Sequence, residues 1–340
     1  MKHAYLLLLL CLALGGAVAE RFYGARQRRA DGARRPAKNC VAGDGDWVTR
    51  RDVEFYKLTS QSWQDGYLAY VFQVIVFVVV FLRTTLVAPL PPSPTLSPIA
   101  PLHLLYPQNI GVVNKYYVEF GFNSDDFNGG SGANTYSLHK NFGWTGLLLD
   151  GGHENAAINL HKEFVRADNI VSLFEKHGVP DEPDYVSIDV DSADVLILDS
   201  LLASRFSPRV LTVEYNANFP LDATLSVTPA TQWAGDTAYG ASLGAIHKVA
   251  ARHGYELVTV VPHLDAVLVR GDLLCGAKPP PLSAWEAATD MTGHSPPVDT
   301  RQAADKFMDS EVYFKTGDVA AAQKAAKAYL TDRDYLFARG

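Results

Sequence analysis

The stretch Tyr116–Asp150, YYVEFGFNSDDFNGGSGANTYSLHKNFGWTGLLLD, decides the predicted fold. The apolar run Tyr116–Phe120 predicts a strand, and a loop rich in Gly, Ser, Asn and Asp follows it. Ala133–Phe142 then predicts a helix, and Gly146–Leu149 predicts a second strand that ends at Asp150. Parallel strands joined by such a crossover form a right-handed βαβ unit. The loop N–H groups and the acid then share one sheet edge, which predicts a nucleoside-type cofactor there.

The loop alone leaves two readings open. It lacks the G-x-G-x-x-G spacing of dinucleotide-binding proteins, so a solvated turn between two buried strands is the alternative to a cofactor site. The acid at the end of the second strand and the βαβ pattern farther along the chain favour the cofactor site.

The pattern of a strand ending in an acid recurs. In Tyr185–Asp194, YVSIDVDSAD, an apolar strand ends at Asp189 and Asp191 follows two residues later, so strand alternation predicts both carboxylates on one side. Val210–Glu214 is a further strand of this kind. Four strands therefore place acids at their carboxyl ends: Glu119, Asp150, Asp189 and Glu214. Ligands of open α/β sheets bind at that edge, so these acids predict a shared cleft.

Other segments complete the α/β pattern. Ala193–Ala203 and Tyr239–Ala251 predict helices, the second followed by Gly254 as its C-cap. Glu256–Val261 and Ala266–Val269 predict a closing hairpin. Four apolar residues at helical spacing predict one more helix packed on the sheet: Ala156, Ala157, Leu160 and Phe164.

The regions flanking residues 109–275 differ in composition. Residues 1–19 have the charge, apolar run and small-residue site of a signal peptide. Residues 20–45 are rich in arginine and predict a disordered basic linker, with an organelle-targeting element as the alternative. Residues 46–73 predict a helical lead-in packed on the domain, and residues 276–340 a partly helical tail.

Residues 74–108 combine an apolar run, VIVFVVVFL, with proline-rich low-complexity sequence. One interpretation is membrane association through residues 67–88, although the apolar run is short for a transmembrane helix. The other is a retained intron translated in frame. The segment begins with Val, whose codons start with GT, and ends with Gln, whose codons can end in AG. Its removal joins YVFQ to NIGVVNKYYVEFG.

Composition excludes some classes of protein. The chain has 340 residues, a formal net charge of −7 and 48% hydrophobic residues, which predicts one or two globular domains and argues against a nucleic-acid partner. Outside the leader, Cys40 and Cys275 are the cysteines, so at most one bridge between them is expected. No Cys/His cluster has the spacing of a metal site.

Residues 109–274 resemble the FkbM-type methyltransferases, a branch of the Rossmann-like S-adenosylmethionine-dependent enzymes. The resemblance is carried by VEFG, GANT, GWTGLLLDG, YVSIDVDSAD, VLTVEYN, YGASLGAI, GYELV and AVLVR. It implies an α/β fold with a seven-stranded, mostly parallel sheet, helices on both faces and an antiparallel last strand. The long insert Phe122–Gly130 departs from the short glycine turn of the family.

The resemblance also implies a site. It implies S-adenosylmethionine as the cofactor, with Glu119 and Gly121 at its methionine side and Asp150 at its ribose. Asn123, Asn134 and Gly151 are further residues expected to bind the cofactor. Asp189, Asp191 and Glu214 are the expected catalytic residues, and Asp189 is the candidate that orients an acceptor hydroxyl or takes its proton. The predicted reaction is O-methylation of a small molecule or glycan, and the leader predicts the secretory pathway.

Two other functions remain open. Asp189-Val190-Asp191 is a D-x-D pair, and such pairs can hold a divalent metal on a nucleotide sugar, which predicts a glycosyltransferase. The altered glycine loop favours a binding protein that keeps the methyltransferase fold without catalysis. The sequence predicts neither the oligomeric state nor the metal.

Overall fold

The computed structural model describes these residues: Leu68, Val71, Phe72, 110–127, 133–289 and 304–331. The predicted signal peptide, basic linker and proline-rich insert lie outside them, as do most of the lead-in and most of the predicted membrane-associated segment. Within the described parts, no helix has the length and apolar character needed to cross a bilayer.

A mostly parallel sheet forms the centre of the domain. The described chain has nine strands: β1 (Tyr116–Phe120), β2 (Thr145–Asp150), β3 (Leu160–Lys162), β4 (Tyr185–Ile188), β5 (Val210–Glu214), β6 (Leu225–Val227), β7 (Tyr255–Val260), β8 (Asp265–Arg270) and β9 (Phe307–Asp309). Seven of them pair in the order β3-β2-β1-β4-β5-β8-β7. The first five are parallel, and β8 runs antiparallel to both β5 and β7. The predicted Rossmann-like sheet with its antiparallel last strand is confirmed.

Helices cover both faces of this sheet, as predicted. The described helices are α1 (Tyr136–Phe142), α2 (Ile170–Lys176), α3 (Asp194–Ala203), α4 (Leu243–Arg252), α5 (Ser310–Thr316) and α6 (Val319–Thr331). Strand residues alternate between two cores: Val118 and Phe120 pack with residues of α2, α3 and α4, whereas Tyr117 packs on the face that α1 covers. The short apolar strands of the sequence are therefore buried from both sides.

The helix predicted from Ala156 to Phe164 is wrong. A short 3₁₀ turn, Ala156–Ile158, is followed directly by β3. The Asn155 side chain accepts from the N–H of Ala157, and Asn159 adopts a left-handed conformation (φ 55°) that ends the turn. Asn tolerates this conformation better than other non-glycine residues, so the chain leaves the helical path there. Phe164 is consequently 55% exposed rather than packed on the sheet.

Two helices begin later than predicted because backbone groups before them bond elsewhere. α1 begins at Tyr136 instead of Ala133, since the N–H groups of Asn134 and Thr135 donate to a carboxylate of β1. α4 begins at Leu243 instead of Tyr239, with Ser242 as its N-cap. The predicted closing hairpin is confirmed as β7 and β8, with ends shifted by about one residue.

Three described residues of the predicted lead-in pack against the sheet. Leu68, Val71 and Phe72 are helical and fully buried on the α1 face, where the Phe72 ring meets Trp144 edge-on at 4.9 Å between centroids. The N–H of Ile110 donates to the carbonyl of Val71 over 3.4 Å. With residues 74–108 removed, these two residues would stand four apart, which is the spacing of an α-helical hydrogen bond. The two flanks of the insert are thus positioned as parts of one continuous chain.

The C-terminal tail contributes more than the predicted helices. β9 pairs with β6 in a second, two-stranded antiparallel sheet, and α6 buries Ala322, Ala326 and Leu330 in the core that α3 and α4 share. Cys275 is disulfide-bonded.

Candidate functional site

The strand order reverses between β1 and β4. The chain leaves β1 toward β2 on one side and enters β4 on the other, so the loops after these two strands diverge and leave a crevice. Ligands of open α/β sheets bind in such a crevice, at the carboxyl ends of the strands. The four predicted acids all stand at this edge, on or directly after β1, β2, β4 and β5.

Glu119 of β1 is turned toward the beginning of α1. Its carboxylate accepts from the N–H of Asn134 at 2.8 Å, the N–H of Thr135 at 3.2 Å and the hydroxyl of Thr135. The side chain is 5% exposed, and burial raises its pKa to about 7 although these hydrogen bonds lower it. Glu119 therefore holds the end of the glycine-rich loop in place, and its hydrogen-bonding capacity is largely used within the protein.

Asn134 links this loop to the middle of the sheet. Its side-chain amide donates to the Ser187 hydroxyl of β4 at 3.1 Å, and the Thr212 hydroxyl of β5 donates to the same oxygen at 3.0 Å. All three side chains are buried. Such a satisfied buried network fixes the loop against β4 and β5.

Gly121 allows the turn after β1 to pass close to the turn after β4. It adopts φ 66°, and a Cβ built on it would lie 1.8 Å from the carbonyl oxygen of Asp189. Any side chain would therefore push the two turns apart. The structure gives this glycine a packing role at the floor of the crevice, and its contact with a cofactor stays a prediction.

Asp150 organises the neighbouring turn after β2. One carboxylate oxygen accepts from the N–H of Asn123 at 2.7 Å, and the other from the N–H groups of Gly152 and His153 at 2.7 and 3.0 Å. A carboxylate offers about four acceptor positions, so about one is left for a ligand hydroxyl. The side chain is 8% exposed. The open acceptor position suits one ligand hydroxyl and not two.

Phe164 stands beside Asp150 and was not predicted to belong to the site. The N–H of Glu163 donates to the carbonyl of Asp150 at 2.8 Å, which fixes the following phenylalanine at this edge. A Cβ on the exposed Gly151 would lie 3.2 Å from the Phe164 ring. An exposed aromatic ring beside the Asp150 carboxylate offers a stacking surface for a planar ligand group.

Asp189, Asp191 and Glu214 come together across β4 and β5. One carboxylate oxygen of each lies within 4.8 Å of those of the other two. The strand alternation invoked from the sequence does not produce this, because β4 ends at Ile188 and both aspartates lie in the turn beyond it. Asp191 adopts φ 53° there. Of the four predicted strand-end acids, the structure therefore brings Asp189 and Glu214 together with Asp191, and a tight turn rather than a pleat does so.

Two further buried acids adjoin this group, and neither was predicted. Asp194, at the start of α3, accepts from the N–H groups of Val190 and Ser192 and so shapes the turn. Burial raises the pKa of Asp194 to about 6. Asp265, at the start of β8, is 2% exposed and pairs in register with Glu214. Only Asp194 had a recognisable signal in the sequence, as an acid in the first turn of a helix.

Burial and like charges act together on the acid group. Burial, followed by repulsion from Asp189, Asp194, Asp191 and Asp265, raises the pKa of Glu214 to about 11. Burial, followed by repulsion from neighbouring acids that include Glu119, raises the pKa of Asp189 well above its usual range. All the charges that raise these two pKa values belong to acids, so the cluster of carboxylates attracts protons or cations.

The segment before α4 forms one wall of the crevice, next to the group of Asp189, Asp191 and Glu214. The Asn216 side-chain amide donates to the carbonyls of Thr237 and Tyr239 at 2.9 and 3.0 Å. A Cβ on Gly240 would lie 3.8 Å from Oε2 of Glu214, so this backbone passes directly over the carboxylate. Asn216, part of VLTVEYN, thus positions one wall of the crevice.

No family model matches the chain, and no curated protein matches it. The resemblance to FkbM-type methyltransferases therefore stays a prediction, as does the cofactor. The structure places the predicted residues at one edge in two neighbouring groups: Asp150, Asn123 and Gly151 at β2, and Asp189, Asp191 and Glu214 at β4 and β5. Glu119 and Asn134 lie at the loop beside the crevice.

Proposed function

We propose that this chain is an S-adenosylmethionine-dependent methyltransferase that methylates a hydroxyl of a small molecule or glycan. The observation that carries the proposal is the pairing of two sites on either side of the strand reversal. Asp150 and the exposed Phe164 suit a nucleoside, and the carboxylates beyond β4 and β5 suit a hydroxyl.

On the donor side, Asp150 would hold one ribose hydroxyl while Phe164 stacks on the adenine. Three backbone N–H groups fix the Asp150 carboxylate before any ligand arrives, so little ordering remains to be done on binding. The bound cofactor supplies a methyl group on a positively charged sulfur. Acidic residues nearby favour a cationic ligand.

On the acceptor side, Asp189 would orient the hydroxyl and accept its proton. Its raised pKa brings the carboxylate closer to the basicity that a proton acceptor needs near neutral pH. Asn216 and the backbone at Gly240 hold the facing wall. Methyl transfer depends chiefly on in-line positioning, which rigid turns after strands provide.

Calorimetry on the full chain tests this function. We expect S-adenosylhomocysteine to bind with micromolar affinity in EDTA and UDP-glucose with manganese to give no heat. The Asp150→Asn variant should bind S-adenosylhomocysteine about tenfold more weakly, because a charge-assisted hydrogen bond is lost. A matched Asp181→Asn variant, at an exposed acid paired with Arg205, should bind as the wild type does.

Glycosyl transfer is the second candidate, favoured by the convergence of the D-x-D carboxylates with Glu214. Binding of UDP-glucose with manganese, without binding of S-adenosylhomocysteine, would establish it in place of the methyltransferase. Donor binding without methyl transfer to any acceptor would point to a binding protein that retains the fold.

The compartment proposed for this activity is the secretory pathway. The disulfide at Cys275 supports it, because such bonds persist in oxidising compartments.

A further inference from the structure

The acid group at the strand reversal has the dimensions of a metal site. Three carboxylate oxygens, one each from Asp189, Asp191 and Glu214, lie within 4.8 Å of one another. Three atoms so spaced have a common centre about 2.8 Å or less from each, close to the roughly 2.3–2.6 Å at which calcium binds oxygen. Small side-chain rotations would bring them to the shorter distances that magnesium or manganese requires.

Two of these side chains lack the hydrogen bonds that buried carboxylates normally have. Oε2 of Glu214 is fully buried, and no hydrogen-bond donor lies within reach of it in the described chain. Asp189 is partly accessible at the crevice, and no described residue donates a hydrogen bond to its carboxylate. Buried polar atoms without partners are rare in folded proteins, so Oε2 of Glu214 points to a missing ligand.

Among the described residues, those whose charges act most strongly on Asp189 and Glu214 include no positive side chain. The charged groups that act on Asp189 and Glu214 are further acids, among them Asp194 and Asp265. The N–H groups of the Val190–Ser192 turn are used by Asp194 instead. In contrast, the buried Asp184, directly before β4, has both Arg209 and three backbone N–H groups as partners. The fold satisfies one buried acid completely and leaves this group unsatisfied.

We propose that Asp189, Asp191 and Glu214 bind one divalent cation, magnesium or manganese, at the carboxyl ends of β4 and β5. Hard cations of this kind take carboxylate oxygens, and three protein ligands leave coordination positions open. The ion supplies the positive charge that the described residues around the site lack.

The function of the ion in catalysis rests on the proposed methyltransferase activity. Open coordination positions would take the acceptor, which makes the substrate class an alcohol or phenol with a second oxygen on the adjacent carbon. Both oxygens could then bind the ion, and its charge would lower the pKa of the hydroxyl to be methylated. Asp189 would then act as a ligand rather than as the proton acceptor. The hydroxyl would lose its proton to solvent water, its oxygen would take the methyl group, and S-adenosylhomocysteine would leave.

Manganese titration of the metal-free full chain, followed by calorimetry or by electron paramagnetic resonance of free Mn²⁺, tests the site. We expect one Mn²⁺ per chain, with at least tenfold weaker binding in Glu214→Gln and in Asp191→Asn. Asp181→Asn removes an exposed acid on the other side of β4 and should bind Mn²⁺ as the wild type does. Failure of the wild type to bind millimolar Mn²⁺, or equal affinity in all four proteins, would overturn the proposal.

Thermal unfolding distinguishes loss of the metal site from misfolding of the variant. In EDTA, Glu214→Gln should unfold at the same or a higher temperature than the wild type, because a neutral amide of the same shape cannot add to the repulsion among the acids. Adding Mn²⁺ should raise the midpoint of the wild type and leave that of Glu214→Gln unchanged. An equal rise in both proteins would contradict the site.

The two proposals fail separately. S-adenosylhomocysteine binding is measured in EDTA, so a chain that binds it but not Mn²⁺ loses the metal site and keeps the donor site. A chain that binds Mn²⁺ through these residues but not S-adenosylhomocysteine keeps the metal site and loses the methyltransferase.

Discussion

Removing the charge of Glu119 should change how the stability of the protein depends on pH. Burial raises the pKa of this carboxyl from 4.5 to about 7 in the folded protein. The folded state therefore binds a proton that the unfolded state releases between these values. Its contribution to stability is complete below pH 4.5 and is lost as the pH rises toward 7. At 1.36 kcal/mol per pKa unit, the loss is about 3 kcal/mol.

Urea unfolding in EDTA at several pH values between 4.5 and 7.5 measures this loss. Other acids of the crevice contribute in wild type and in Glu119→Gln alike, so the difference between the two proteins isolates Glu119. We expect the wild type to lose about 3 kcal/mol relative to the variant across this range. The glutamine keeps one acceptor for Asn134, so the slope with pH, rather than stability at one pH, is the decisive quantity. A difference that stays constant or grows with pH would refute the reasoning.

Three further changes probe the fold itself. Deleting residues 74–108 should leave the free energy of unfolding within about 1 kcal/mol of wild type in urea, because the two flanks already meet at helical spacing; loss of cooperative unfolding would contradict this. Asp184→Asn should cost about 3–5 kcal/mol in the same assay, since it leaves the buried guanidinium of Arg209 without its counterion; a cost under 1 kcal/mol would show that the pair is dispensable. Gly121→Ala should lower the melting temperature in calorimetric scans, because its methyl would overlap the carbonyl of Asp189; an unchanged melting temperature would show that the two turns can separate freely.

Most strands of the central sheet were predictable because they are short apolar runs buried on both faces, whereas β3, Leu160–Lys162, is not such a run. Val210–Glu214 is such a run, and the structure reproduces its bounds. The segment Ala156–Phe164 was not predictable in this way. Its apolar spacing matches a helix, but side-chain hydrogen bonding at Asn155 and the left-handed Asn159 redirect the chain. The pairing of β6 with β9 joins segments about 80 residues apart, and local patterns carry no information about it.

The acids of the site were predictable as a set, and their individual contacts were not. The rule that parallel strands end at one edge brings Asp189 and Glu214 together from sequence alone. That Glu119 faces α1 rather than the crevice depends on where the glycine-rich loop returns to the sheet, which is a tertiary contact. Phe164 was assigned to a core because the helix containing it was predicted wrongly, and Asp265 is a turn-adjacent acid without a local signal.

The central claim is that a nucleoside cofactor binds between Asp150 and Phe164, and the affinity of S-adenosylhomocysteine for Phe164→Ala tests it most directly. Phe164 is 55% exposed, so its removal should leave folding intact. Val113→Ala is the matched control. Val113 is 67% exposed and precedes β1, so it lies at the amino ends of the strands, away from the site. Calorimetry should show binding weakened roughly tenfold or more in Phe164→Ala, as loss of base stacking requires, and unchanged in Val113→Ala. Equal affinity in the two variants and the wild type, or no binding by any of them, would contradict the account.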